Sequence, residues 1–180
     1  MIRNVILMVP FALMCLAAAP VKPATPAKAS PPRAAAPVAV FDAQNPQGLM
    51  ELLGAAGAKV QTRSREDDTV FVSVTSTAAS FSMQFAGCTP QGRGCRAVLL
   101  DAGLARATVS SAQINAFNQT SVMCRIYQDR AGLQHVLYSA ILFKSLSRSD
   151  AETHLQAWQG CLADAHDFLK DPVAYLANSA

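Results

Sequence analysis

FSMQFAGCTPQGRGCRAVLLDAG, residues Phe81–Gly103, is the stretch on which the fold turns. Phe81, Met83 and Phe85 recur at every second position against Ser80, Ser82 and Gln84, the spacing of a strand with one buried face. A second alternating run passes through Ala97, Leu99 and Asp101. Between the two lies Cys88-Thr-Pro-Gln-Gly-Arg-Gly-Cys95, whose proline and glycines mark a turn. That connection is far too short for a crossover helix, so the flanking strands are predicted to be antiparallel neighbours. In an oxidising compartment Cys88 and Cys95 are expected to pair, closing the loop for about 2.5 kcal/mol by the chain-entropy argument. Their spacing is not the C-x-x-C of a thiol redox centre, and no adjacent cysteine or histidine pair completes a zinc site.

Working upstream, Val70, Val72 and Val74 alternate with Ser73 and Thr75, and Val60 and Thr62 begin a further strand that turns at Glu66-Asp67-Asp68. Before these, Asn45-Pro46 opens a helix, the asparagine as cap and the proline at the first helical position, where its missing donor is not needed. Leu49, Met50, Leu52, Leu53 and Ala56 form its apolar face and Gly57 its stop.

Downstream, SSAQINAFNQTS (Ser110–Ser121) begins with a capping box of Ser110 and Gln113, with Ile114 and Phe117 as the apolar side of a short helix. Asn115 and Asn118 share a face. Asn118 is expected to end this helix, since asparagine tolerates the left-handed conformation; a ligand-binding amide pair is the rival reading. Two strands follow, Val122–Gln128 and Gln134–Phe143, joined by Asp129-Arg130-Ala131-Gly132. Val122, Cys124 and Ile126 are expected on one side of the first, with Met123, Arg125 and Tyr127 on the other. Ser149 and Glu152 are read as the capping box of a last helix, whose buried stripe is Leu155, Trp158, Cys161, Leu162, Ala165, Phe168 and Leu169. Cys124 and Cys161 both face inward in this scheme. They are either two buried thiols or a second bridge of about 4 kcal/mol. The fold class that results is α+β, an antiparallel sheet packed against helices in the order α-β-β-β-β-α-β-β-α.

The run FSMQFAGC, the alternating strand after Cys95, the motif QINAFNQ leading into a strand that ends RIYQD, and HVLYSAILF before a Trp-bearing helix together resemble the YbjN-domain family, described as sensory-transduction regulators. The resemblance covers roughly residues 43–169. Its most specific piece is the motif in which Asn115 and Asn118 bracket an aromatic position, usually tryptophan and here Phe117, which keeps the bulk without the indole donor. It implies a fold similar to type III secretion chaperones, which bind polypeptide, often as dimers, and catalyse nothing. A protein partner and a homodimer are therefore expectations of the resemblance.

The N-terminus adds segments that the family pattern lacks. Residues 1–19, MIRNVILMVPFALMCLAAA, have the single early Arg3, the apolar run and the small terminal residues of a Sec-type signal peptide. Cys15 falls within this leader. Residues 20–38 carry Pro20, Pro23, Pro26, Pro31, Pro32 and Pro37 with no acidic or aromatic residue, the composition of a disordered, extended linker. A folded domain over 39–180 and a periplasmic or secreted destination follow. Of the 15 Lys and Arg, four (Arg3, Lys22, Lys28 and Arg33) precede Ala39, leaving 11 basic against 12 acidic residues. Nearly neutral and without a basic cluster, that domain is not expected to bind nucleic acid.

No H-E-x-x-H, G-x-S-x-G, S-x-x-K or phosphate-loop motif occurs, and neither a cofactor nor a metal is expected. His154, His166, Asp150, Asp164 and Asp167 read as a solvated helix face. Three functions remain: a non-enzymatic, chaperone-like or regulatory envelope module that binds protein; an inhibitor or accessory subunit of one envelope enzyme, presenting Gln91, Gly92 and Arg93; and an enzyme gathering His135, Asp101 or Cys124 in a concave site.

Overall fold

The computed structural model describes residues 40–179. The expected signal peptide, 1–19, and linker, 20–38, lie outside the described residues. The domain is α+β, as the alternating patterns require. Helix α1, Pro46–Ala55, starts where Asn45 accepts from the Gln47 N–H, and stops at Gly57, whose φ of +86° suits glycine. Strands β1 (Lys59–Glu66), β2 (Thr69–Thr75), β3 (Ser80–Ala86) and β4 (Ala97–Gly103) form a meander. Helix α2 spans Ser111–Thr120, and the hairpin of β5 (Cys124–Gln128) and β6 (Gln134–Ile141) follows. Helices α3, Arg148–Lys170, and α4, Pro172–Asn178, complete the chain.

The six strands lie in the order β1-β2-β3-β4-β6-β5, antiparallel throughout. β6 thus sits beside β4, and β5 becomes the outer strand. The helices bury one face only. Val70, Val72, Val74, Met83, Phe85, Val98, Leu100, Ala102, Val136, Tyr138, Cys124 and Ile126 join Leu49, Phe117, Trp158, Ala165 and Phe168 in a single core. Phe117 is fully buried, its ring 4.9 Å from Phe168 and 5.7 Å from Tyr175. Among the described residues no helix is long and apolar enough to cross a membrane.

Two disulfides hold this arrangement. Cys88–Cys95 closes the loop between β3 and β4, and Cys124–Cys161 ties β5 to the middle of α3. A pair of buried disulfides marks a protein that folds in an oxidising, extracellular compartment.

Several local expectations change. The α3 capping box is Ser147 with Asp150, two residues earlier than Ser149 with Glu152. The Ser147 hydroxyl accepts the Asp150 N–H while Asp150 accepts the Ser147 N–H, and Glu152 instead pairs with Arg148 at 3.2 Å. The last helical pattern is broken at Asp171, which caps α4 as Pro172 occupies its first turn. β5 begins at Cys124 rather than Val122, because Ser121 to Met123 bend away and leave Val122 89% exposed. β6 ends at Ile141 rather than Phe143.

Asn118 does not end α2, which continues to Thr120. Its carboxamide reaches across to β5, where Oδ1 accepts the Ile126 N–H at 2.8 Å and Nδ2 donates to the Ile126 carbonyl at 2.9 Å. Those two groups of Ile126 point away from β6, so the side chain stands in for the strand that the sheet edge lacks. Asn115 is exposed.

Replacing both Cys124 and Cys161 by serine is expected to lower stability by up to about 4 kcal/mol in denaturant titrations followed through Trp158 fluorescence. Asn118→Ala should cost ~1–3 kcal/mol, because both Ile126 groups lose their partner; a change within error would show that water replaces the carboxamide at no cost.

Candidate functional site

Period-two strands carry a second set of side chains, and among the described residues no helix covers them. On this open face Phe71 opposes Gln84, Ser73 opposes Ser82, Leu99 opposes Ser139, Asp101 opposes Leu137, and Tyr127 opposes His135. Phe71, Leu99 and Leu137 are half-buried by their neighbours. A sheet face of this mixed character, apolar patches between short polar side chains, is available for contact with another molecule.

At one end of the face the strands bring ionisable groups together. The Tyr127 hydroxyl donates to Asp101 Oδ2 at 2.8 Å, and His135 Nδ1 lies 2.9 Å from Asp101 Oδ1. The rings of Tyr127 and His135 stack at 4.9 Å, as a directly opposed cross-strand pair permits. On the other side of the imidazole, Nε2 is 3.6 Å from Asp129 Oδ2. Asp129 Oδ1 meanwhile accepts the N–H groups of Ala131 and Leu133 in the β5–β6 turn, where Gly132 has a φ of +78°.

Burial, then the hydrogen bond to Asp101, pushes the Tyr127 phenol up to about 12. The Leu133 N–H, foremost, holds the Asp129 carboxyl below the usual carboxylate range. Both imidazole nitrogens already face carboxylates, and Tyr127 is held as a neutral donor. The cluster fastens β4, β6 and the hairpin tip to one another, and offers no nucleophile paired with a base.

His135 and Asp101 are therefore brought together, whereas Cys124 projects from the opposite face of the sheet into its disulfide with Cys161. Among the described residues no three His, Cys, Asp or Glu side chains converge as a metal site. His154 is not on a solvated face; its Nδ1 is hydrogen-bonded to the Tyr138 hydroxyl. The loop residues also differ from a free tip. Arg65 donates to the Gln91 carbonyl at 3.1 Å, and Gly92 is buried so closely against Arg65 and Val70 that a Cβ would lie 3.0–3.2 Å from their side chains. The Gln91, Arg93 and Gly94 positions themselves are exposed.

Sequence reasoning passed over the border of the open face. Where Val122 and Met123 peel away from β6, a cleft of about 490 Å³ opens, lined by Met123, Arg125, Leu137, Ile141, Phe143 and His154 among others. Val122, Met123, Ile141 and Phe143 are 89, 50, 59 and 62% exposed, a concentration of uncovered apolar surface in one place. The signal was present as the unbroken apolar end of HVLYSAILF, which reads equally well as a buried strand.

No protein-family model, curated protein or solved structure matches this chain. What the surface can do is set by its own geometry.

Because the folded Tyr127 phenol resists ionisation, its contribution to stability is complete below the unfolded value near ~10 and is lost as pH rises through about 12. Ultraviolet titration should show a high-pH tyrosine step that Tyr127→Phe removes and Asp101→Asn moves downward. An unaltered step in Asp101→Asn would mean that the pair does not form. The Asp129 contribution has the opposite sign, present above the ordinary carboxylate range and lost as pH falls through its depressed value. Protection of the Ala131 and Leu133 amides, taken relative to their intrinsic exchange rates, should therefore fall in acid, and Asp129→Asn should abolish that fall.

Proposed function

We propose that this chain is an exported, non-enzymatic protein-binding module of YbjN type, chaperone-like or regulatory, which acts in the periplasm or as a secreted protein. The observation that carries this reading is the one-sided sheet: helices cover one face, while the other presents Phe71, Leu99 and Leu137 between polar side chains. Two further features support it. Both disulfides suit an exported protein, in keeping with the leader pattern of residues 1–19. The order of elements, with α4 appended, is also the order that the resemblance implies, and Phe117 fills the family's aromatic position inside the core.

An inhibitor presenting the Cys88–Cys95 loop would use a projecting tip, and here the Gln91 carbonyl and Gly92 are held against β1 and β2. The uncovered sheet is the better contact surface.

A photoreactive amino acid placed at Leu99, on the open face, is expected to form adducts with other polypeptides in living cells. The same group at His166, an exposed position on α3, should form few. Equal labelling at the two positions, or none beyond an exported control protein, would count against the open face as the binding surface. An adduct consisting of two copies of this chain would identify the face as a homodimer contact.

A further inference from the structure

We propose that the end of β6 that β5 leaves uncovered, together with the two residues after it (139–143 in all), is a strand-addition site for an acidic, extended polypeptide; this rests on the protein-binding reading and names its edge and its ligand chemistry. The register defines the vacancy. β5 accompanies β6 only as far as Cys124 opposite Tyr138, whereas β4 continues to Ala97 opposite Ile141. Among the described residues, those beyond Tyr138 therefore have a regular strand on one side alone. Leu142 donates to the Arg96 carbonyl and the Gln134 carbonyl accepts from Leu104, so the even-numbered residues of this strand turn their backbone groups toward β4. By alternation, the N–H and C=O of Ile141 face the vacant side.

The other edges of the sheet are guarded. β1 carries Lys59, Arg63, Arg65 and Glu66 and has a bulge between Thr62 and Ser64. On β5, Asn118 occupies both outward groups of Ile126. The end of β6 has neither device, and the apolar side chains there are Ile141 and, just past the strand, Phe143, both more than half exposed.

The cleft along this edge supplies both what a strand needs and a preference for charge. Leu137 and Ile141 project from the open face and Tyr138 from the covered one, with Leu146 of the following connection also lining the cleft, so the alternate side chains of an added strand would each find an apolar wall. Arg125 and His154 line the cleft and no carboxylate does. The Arg125 guanidinium is fixed in place by the Ser121 and Cys124 carbonyls, at 2.8 and 2.7 Å. This polarity selects an acidic occupant. It disfavours the chain's own segment 20–38, which has lysines, an arginine and no acid, and whose prolines lack the N–H groups that a ladder requires. It also disfavours a second copy, because an isologous pairing of two β6 edges sets two basic clefts against each other.

The test uses the oxidised full chain and a fluorescein-labelled heptapeptide of alternating valine and threonine with glutamate at both ends, followed by anisotropy. Saturable binding is expected, at least tenfold weaker when lysine replaces glutamate and absent when alternate peptide nitrogens are methylated. Ile141→Lys and Ile141→Pro should abolish it. The proline removes an outward N–H without taking a hydrogen bond from β4, and an unchanged denaturation midpoint for Ile141→Lys separates loss of the site from loss of the fold. His166→Glu, at an exposed position of α3 outside the cleft lining, should bind normally. No saturation up to about 1 mM, or undiminished binding by the methylated peptide or by Ile141→Lys, overturns the proposal. Self-association in sedimentation that Ile141→Lys removes and the peptide cannot displace assigns the edge to a second copy, which overturns it too. If the peptide fails while adducts at Leu99 persist, the edge assignment falls and the protein-binding reading stands; failure of both removes both.

Discussion

Trp158, Cys161, Ala165 and Phe168 of α3 press on one face of the sheet, and the Cys124–Cys161 bond fixes where the helix lies. Each large side chain buried there contributes on the order of 1.5–3 kcal/mol. The bond reaches the outermost strand, β5, which spans five residues and is the kind of edge that frays when nothing holds it. With α2 and α4 gathered around Phe117 and Phe168, all four helices of the described residues are spent on a single layer. The second sheet face is consequently open, and the functional reading of the chain begins from that geometric remainder.

The open face is not uniform. Where β4, β6 and the β5–β6 turn meet, Tyr127, Asp101, His135 and Asp129 satisfy one another and make a rigid corner. At the opposite end of β6 the turn at Val122 and Met123 pulls away, and apolar side chains stand beside a strand edge with a vacant side. One end of the hairpin is thus closed by hydrogen bonds and the other left unclosed. The difference arises from the length of β5: three more paired residues would have covered Ile141. Its early departure at Cys124 coincides with the disulfide, which draws that position inward to α3.

Much of the architecture was legible in the chain. Alternation of Val70, Val72 and Val74 and of Phe81, Met83 and Phe85 fixes which side chains go inward, because a strand's two faces are set by its backbone alone. The caps at Asn45 and Ser110 are local for the same reason, with donor and acceptor within three residues. The α3 cap shows the limit of local signals: Ser147 and Ser149 each precede an acid by three residues, and the choice depends on where the preceding strand delivers the chain. Asn118 shows it more sharply. A helix-ending asparagine and one that reaches to Ile126 are identical in sequence, since the partner lies on another element.

The sequence by itself determined most of the core, three helices and the six strands, their antiparallel connections and the cysteines able to bridge them. These follow from periodicities and turn residues that act over a few positions. Tertiary structure alone decided that β6 inserts beside β4, that Asp101 meets Tyr127 and His135, that one face stays open and that β5 stops short of Ile141. Each of these depends on which elements compete for the same apolar surface, and that competition is settled only when the whole chain packs.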